Sequence, residues 1–291
     1  MKKKIFFWGT PSIAVPSLEK IYESKNIEIV GVGVMPDKKI GRKKIVTPCP
    51  TKIAAQNLGI KIFEIKNKSD LINIYKNINF DLGIIIAFGM IFPEEILADN
   101  KIINIHFSLL PKYRGASPVQ TAILNGDEFS GITFQKITKK LDAGDILLQK
   151  KFSIKNQKTS EVFDQFAQET AILFPDFLDK YFDKKIIPQV QKESLVTFCR
   201  KFDKTDGEIF FKKMTAKIIY QTFLAFDIWP GIFFKSPKGN IKLTDISLTP
   251  QKNSLEILCA QNSKLYINRA QVPGKKEMDI QDILRGNNIF F

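Results

Sequence analysis

The chain has 291 residues, 44% hydrophobic and 25% charged, with a formal net charge of +14 and three cysteines. That composition is one of a globular protein large enough for a packed core. Cys49, Cys199 and Cys259 are widely spaced and form no Cys-x-x-Cys pair, which argues against a disulfide framework or zinc site and fits a reducing cytoplasm. No apolar run reaches the roughly 18 residues needed to span a bilayer.

The positive charge is unevenly placed. Residues 1–60 hold eleven Lys and Arg against four Asp and Glu, and Lys38-Lys39-Ile40-Gly41-Arg42-Lys43-Lys44 concentrates the excess. A field of this kind predicts a polyanionic partner, nucleic acid before membrane, because no basic amphipathic helix accompanies it. A solvated loop fits the composition equally well.

Taken in order, Ile5 to Trp8 reads as an apolar strand, Gly9-Thr10-Pro11 as a turn, Ala14 to Tyr22 as a helix and Ile27 to Val34 as a second strand. Lys2-Lys3-Lys4 and the residues behind it are better read as the start of strand one than as a signal peptide, because the apolar stretch is short and the turn interrupts it. A βαβ start predicts a parallel sheet. The turn lacks Gly-x-Gly-x-x-Gly, so neither a dinucleotide site nor a P-loop is supported. Met35 to Pro50 is a connection longer than a strand-to-helix loop requires, and such loops are usually functional or disordered.

Helices over Thr51–Leu58 and Asp70–Ile78 flank a strand at Lys61–Phe63. Asp81 to Ala87 reads as a strand whose run from Leu82 onward has no polar side chain, as in a strand buried on both faces. At its carboxyl end Phe88-Gly89-Met90-Ile91-Phe92 forms an apolar loop able to line an aromatic ligand pocket or simply to pack in the core, and Pro93-Glu94-Glu95 is predicted to start a helix.

The next strand, Lys101 to Ile105, leads into the only histidine. Asn104 and His106 are two apart and so share a strand face, at a sheet end where open α/β folds hold ligands. A lone imidazole among apolar residues more often belongs to a core. However, a core strand has little use for Asn and His on one face unless both are hydrogen-bonded. Strands over Gly131–Ile137 and Ile146–Phe152 bracket a turn in which Asp142 and Asp145 are either turn formers or, for Asp142, a carboxylate able to reach His106. A long helix follows from Thr159 to Tyr181. Ile186 to Glu193 has no helical period and reads as a linker. Beyond it come a helix over Thr215–Phe226 and short alternating runs (Ile232–Phe234, Ile241–Asp245, Leu255–Leu258, Leu265–Ala270), the pattern of a small β-barrel.

Asn104-Ile105-His106, Ser108-Leu109-Leu110-Pro111, Arg114-Gly115 and Leu141-Asp142-Ala143-Gly144 together resemble the signature of the 10-formyltetrahydrofolate-dependent formyltransferases. Phe7-x-Gly9-Thr10-Pro11, Phe226-Asp227-Ile228-Trp229-Pro230 and Pro273-Gly274-Lys275-Lys276 extend the likeness over nearly the whole chain. The resemblance implies an α/β architecture. A Rossmann-like catalytic domain over 1–185 and a linker over 186–207 would precede a small OB-like, tRNA-binding domain over 208–291. It implies transfer of a formyl group from 10-formyltetrahydrofolate to the amino group of initiator methionyl-tRNA, without a metal, by a cytoplasmic monomer. Asn104, His106 and Asp142 would be catalytic. Phe88, Gly89, Met90, Ile91, Phe92, Ser108, Leu109, Leu110 and Pro111 would hold the folate, and Lys38, Lys39, Arg42, Lys43 and Lys44 would meet the tRNA. Phe107 stands where that family often has a small residue, which would narrow the pocket beside His106. The nearest rival acceptor is an amino sugar nucleotide, which needs fewer positive charges than the Lys38–Lys44 cluster supplies.

Overall fold

The computed structural model describes residues 1–40 and 44–286. They divide into two compact units, neither a single run of chain. One comprises Met1–Gly115, Ser130–Phe152 and Phe163–Phe198; the other comprises Ala116–Phe129, Ser153–Val162 and the described residues from Cys199 onward.

In the first unit β1 (Lys3–Gly9) is buried from Ile5 to Gly9, and α1 (Val15–Tyr22) starts on a Pro in its first turn and buries Leu18 and Ile21. β2 (Ile27–Val34) returns parallel to β1. Gly31 and Gly33 inside β2 have a packing reason. A Cβ on Gly33 would lie 2.4 Å from Cδ1 of Trp8, and one on Gly31 would lie 2.7 Å from the Phe6 ring. The glycines make room for Phe6 and Trp8, whose ring centroids are 4.4 Å apart at the heart of the core, with Phe80 and Phe92 around them.

The long connection after β2 is not structureless. It carries a short antiparallel hairpin, β3 (Lys38–Ile40) and β4 (Ile45–Thr47), before α2 (Pro50–Asn57). Three-residue strands are too brief to show an alternating pattern in a Lys-rich stretch. β5 (Ile62–Glu64) is followed by α3 (Lys68–Asn77), whose start is held by a reciprocal capping box between Asn67 and Asp70. β6 (Leu82–Ile86) and β7 (Ile102–His106) are parallel neighbours. Between them the predicted helix at Pro93 is only a single 3-10 turn, Glu94–Ile96.

β8 (Arg114–Gly115), α4 (Pro118–Leu124), β9 (Phe129–Lys136) and β10 (Ile146–Ser153) complete the middle of the chain. The seven-stranded sheet runs β10-β9-β7-β6-β1-β2-β5, parallel from β7 through β5, with β9 antiparallel to β7. The long helix α5 (Thr159–Phe182) stacks Phe166, Phe174 and Phe177 on Phe107, Phe134 and Phe152.

The short strand β11 (Phe198–Cys199) pairs with β8. In the second unit α6 (Ala216–Ala225) precedes an antiparallel sheet of β12 (Ile232–Ser236), β13 (Gly239–Ser247), β15 (Lys264–Gln271) and β14 (Leu255–Leu258), in that order. Two elements escape the sequence pattern: β16 (Glu277–Asp279), which pairs with β15, and α7 (Ile280–Gly286). Each is too short for a periodic signal. Among the described residues no helix is long and apolar enough to cross a membrane.

Candidate active site

The strand period places Asn104 and His106 on one face of β7, and the antiparallel register sets Gln135 and Thr133 of β9 opposite them. His106 is 6% exposed. Its Nε2 lies 2.9 Å from the carbonyl oxygen of Tyr113 and its Nδ1 lies 3.7 Å from Oδ1 of Asp142. Asn104 Nδ2 reaches the same carboxylate oxygen at 3.5 Å. Both approaches to Oδ1 are long for hydrogen bonds, so the amide and Nδ1 remain available to a third acceptor. Two of the three groups that the sequence singles out, the Asn104 amide and the His106 ring, thus approach one oxygen of the third, Asp142.

The carboxylate is fixed from both sides. Oδ1 accepts from Gln135 Nε2 at 2.9 Å, and Oδ2 accepts from the Gly115 backbone N–H at 2.9 Å. Asp142 has a φ of 50°, in the left-handed region that non-glycine residues seldom adopt. The turn that carries it lies flat on β9: Lys136 N–H donates to Asp145 O at 3.0 Å, and a Cβ on Gly144 would fall 1.8 Å from Lys136 O.

The Ser108–Arg114 loop owes its shape to polar side chains of neighbouring strands. Thr133 Oγ1 donates to Ser108 O at 2.7 Å, Gln149 Nε2 to Leu110 O at 2.9 Å, and Ser108 Oγ to Lys112 O at 2.6 Å. Tyr113, at φ 61°, donates its backbone N–H to Thr197 Oγ1 at 2.9 Å, and thereby aims its carbonyl at His106. Ser108 and Leu110 are buried in this loop, and Leu109 and Pro111 are half-buried.

Of the apolar loop after β6, Phe88 and Phe92 are buried members of the core, 6.0 Å apart, while Gly89 and Ile91 face outward and Met90 is half-buried. Thr10, at the carboxyl end of β1, donates its hydroxyl to Phe88 O and accepts from Met35 N–H, tying three strand ends together. The Phe107 ring packs on α5, with Phe166 5.5 Å and Phe163 6.2 Å away.

On the basic hairpin Lys38, Lys39 and Lys44 are exposed, as are Ile45 and Val46; Arg42 and Lys43 lie outside the described residues. The base of the hairpin is anchored by Lys52, which bridges Asp37 at 2.8 Å and Glu64 at 2.5 Å. Those two carboxylates hold the Lys52 ammonium above its ordinary pKa.

Gln135, Thr133, Gln149, Thr197 and Gln191 are supporting residues that sequence reasoning passed over. Gln135 and Thr133 carried a usable signal, since polar residues at alternate positions of a buried strand require partners. The others carried none.

Comparison with known proteins matches residues 1–177 to the profile of the formyl transferase family and residues 201–288 to the formyl transferase C-terminal domain. The chain belongs to the formyl transferase family. Its curated relatives include a methionyl-tRNA formyltransferase of Campylobacter jejuni, 39% identical over 303 residues that cover 99% of this chain and 97% of the relative. Among solved structures it is similar in fold to an N-formyltransferase from Helicobacter canadensis bound to folinic acid and dTDP-3-aminofucose. The TM-score is 0.70 at 22% identity, over 92% of this chain and 99% of that one. It is also similar to HypX from Aquifex aeolicus, with a TM-score of 0.65 at 15% identity, over 98% of this chain; the match spans only 49% of HypX.

Proposed function

We propose that this protein transfers the formyl group of 10-formyltetrahydrofolate to the α-amino group of initiator methionyl-tRNA. The observation that carries the reading is the convergence of Asn104, His106 and Asp142 at the carboxyl end of β7, in a chain that matches methionyl-tRNA formyltransferases over almost its full length.

The residues fit the chemistry. When an amine attacks a formyl carbon, negative charge develops on the formyl oxygen. Nε2 of His106 is engaged with Tyr113, so Nδ1, when protonated, and Nδ2 of Asn104 are the donors left to answer that charge. Loss of one such donor typically costs about 3–4 kcal/mol of transition-state stabilisation. Asp142 stands beside Nδ1 and, directly or through a water, accepts the proton that the amine gives up; positioned acid–base help is worth on the order of 10²–10⁴-fold.

In this reading the folate lies along Phe88–Phe92 and Ser108–Pro111. Gly89, Met90 and Ile91 offer the accessible surface there, with Phe88 and Phe92 supporting it from the core. Lys38, Lys39, Arg42, Lys43 and Lys44 meet tRNA phosphates. Residues 1–185 act as the catalytic domain, 186–207 as the linker and 208–291 as the tRNA-binding domain, in a cytoplasmic monomer.

The test is direct. Purified protein is incubated with 10-formyltetrahydrofolate and charged initiator tRNA, with a dTDP-linked amino sugar as rival acceptor. Formylmethionyl-tRNA is the expected product. Formylation of the sugar alone, or of neither acceptor, overturns the proposal.

A further inference from the structure

Gln191 sits in the aperiodic segment after α5, yet its side chain is 5% exposed and every polar group on it is used. Its Nε2 donates to Asp142 O at 2.9 Å and to Gly144 O at 2.7 Å. Its Oε1 accepts from Nε of Arg114 at 3.0 Å. Both amide hydrogens are thereby spent on two carbonyls of one tight turn. Arg114 is 3% exposed, and its other contacts include Glu193 Oε1 at 2.9 Å from a guanidinium nitrogen.

The position of Arg114 makes this pairing more than local packing. The residue before it, Tyr113, offers the carbonyl that holds His106, and the residue after it, Gly115, offers the N–H that holds Asp142. Gln191 therefore grips both halves of the His106–Asp142 pair at once. It holds the Asp142 turn through its amide nitrogen, and the Tyr113–Gly115 strip through Arg114. Asp142 and Tyr113 both have positive φ, a backbone state that persists only where the surroundings over-determine it.

We propose that Gln191, with Arg114, is a positioning residue for formyl transfer, a clamp that sets the distance between the Asp142 carboxylate and Nδ1 of His106. The proposal rests on the functional reading above. It assigns part of the active site to the segment read from sequence as a linker.

Two variants test it. Gln191→Leu keeps much of the volume and removes both donors. Gln191→Glu keeps an acceptor for Arg114 but sets a carboxylate against the two turn carbonyls. Each should lower kcat by at least about tenfold while KM for folate and for tRNA stays within about threefold, since a misplacement on the order of 1 Å can cost about a hundredfold in rate. The chain has one histidine, so isotope-labelled histidine reports His106 alone, and its ring resonances should move in both variants. In an active enzyme, unchanged kcat or unmoved His106 resonances overturns the proposal. If the wild-type protein transfers no formyl group to any acceptor, the functional reading fails, and the His106 resonances alone decide whether Gln191 positions the pair. Should Gln191→Leu not fold, Gln191→Glu carries the same readouts.

Discussion

The carbonyl oxygen of Tyr113 stands 2.9 Å from Nε2 of His106. A carbonyl can only accept, so the ring nitrogen facing it, Nε2, carries the hydrogen of this contact. The neutral ring is therefore expected as the Nε2–H tautomer. Nitrogen-15 spectra of histidine-labelled protein read this directly, and an Nδ1–H ring would refute the assignment.

Asp142 takes a donor on each oxygen, Gln135 on one and Gly115 on the other. In Asp142→Asn an N–H must face one of those donors. We expect a stability loss of about 1–3 kcal/mol from that mismatch. A drop in kcat on the order of 10²–10⁴-fold should accompany it. Urea titration and single-turnover formylation measure the two effects. Retained activity in Asp142→Asn, or in His106→Ala, would end the acid–base role given to this pair.

Gly144→Ala should damage both stability and rate, although residue 144 touches no substrate in the proposed mechanism. The added methyl has no room, because Lys136 O would lie 1.8 Å from it and the backbone cannot yield without lifting the turn off β9. Overpacking of this kind costs about 1–3 kcal/mol. A variant that melts at the wild-type temperature and turns over normally would show that the turn is free to move.

Lys38 and Lys39 lie on the exposed hairpin, with Lys44 beside it. Replacing all three by Gln should weaken tRNA binding and reduce the slope of log K against log salt by roughly 0.7–0.9 for each phosphate that is no longer neutralised. The activity with a minimal amine acceptor should not change. An unaltered salt slope places these lysines away from the nucleic acid.

Burial pushes the Cys259 thiol up to about 11. Below pH 9 the thiol is protonated in folded and unfolded chains alike, and its full contribution is present. As pH rises from 9 toward 11, only the unfolded chain releases the proton, so stability falls with pH by an amount on the order of 2 kcal/mol. Comparison of Cys259→Ala with the wild type in urea at about pH 8 and about pH 11 isolates this contribution, and the substitution should flatten the alkaline fall. Equal pH dependence in the two proteins would contradict it.

Much of the first unit is legible in the amino-acid order. β2 falls at Ile27–Val34 as its apolar run requires, and α5 begins at Thr159. Long periodic elements announce themselves because burial of one face imposes a repeat. The paired strands β3 and β4, β16 and α7 do not, since each depends on partners rather than on its own pattern.

The site divides along the same line. Asn104 and His106 share a face because alternate strand residues do, and that much is fixed by covalent geometry and a spacing of two. Whether Asp142 reaches them depends on Gln135, Gly115 and Gln191. What decides the orientation of the imidazole is a carbonyl set by Thr197, 84 residues from the Tyr113 N–H that its hydroxyl accepts. Such partners are chosen by the packing of distant segments, and a hydrogen bond between remote residues leaves no period in the chain. The amino-acid order determined which groups were available for the chemistry; only the folded backbone determined how far apart they stand.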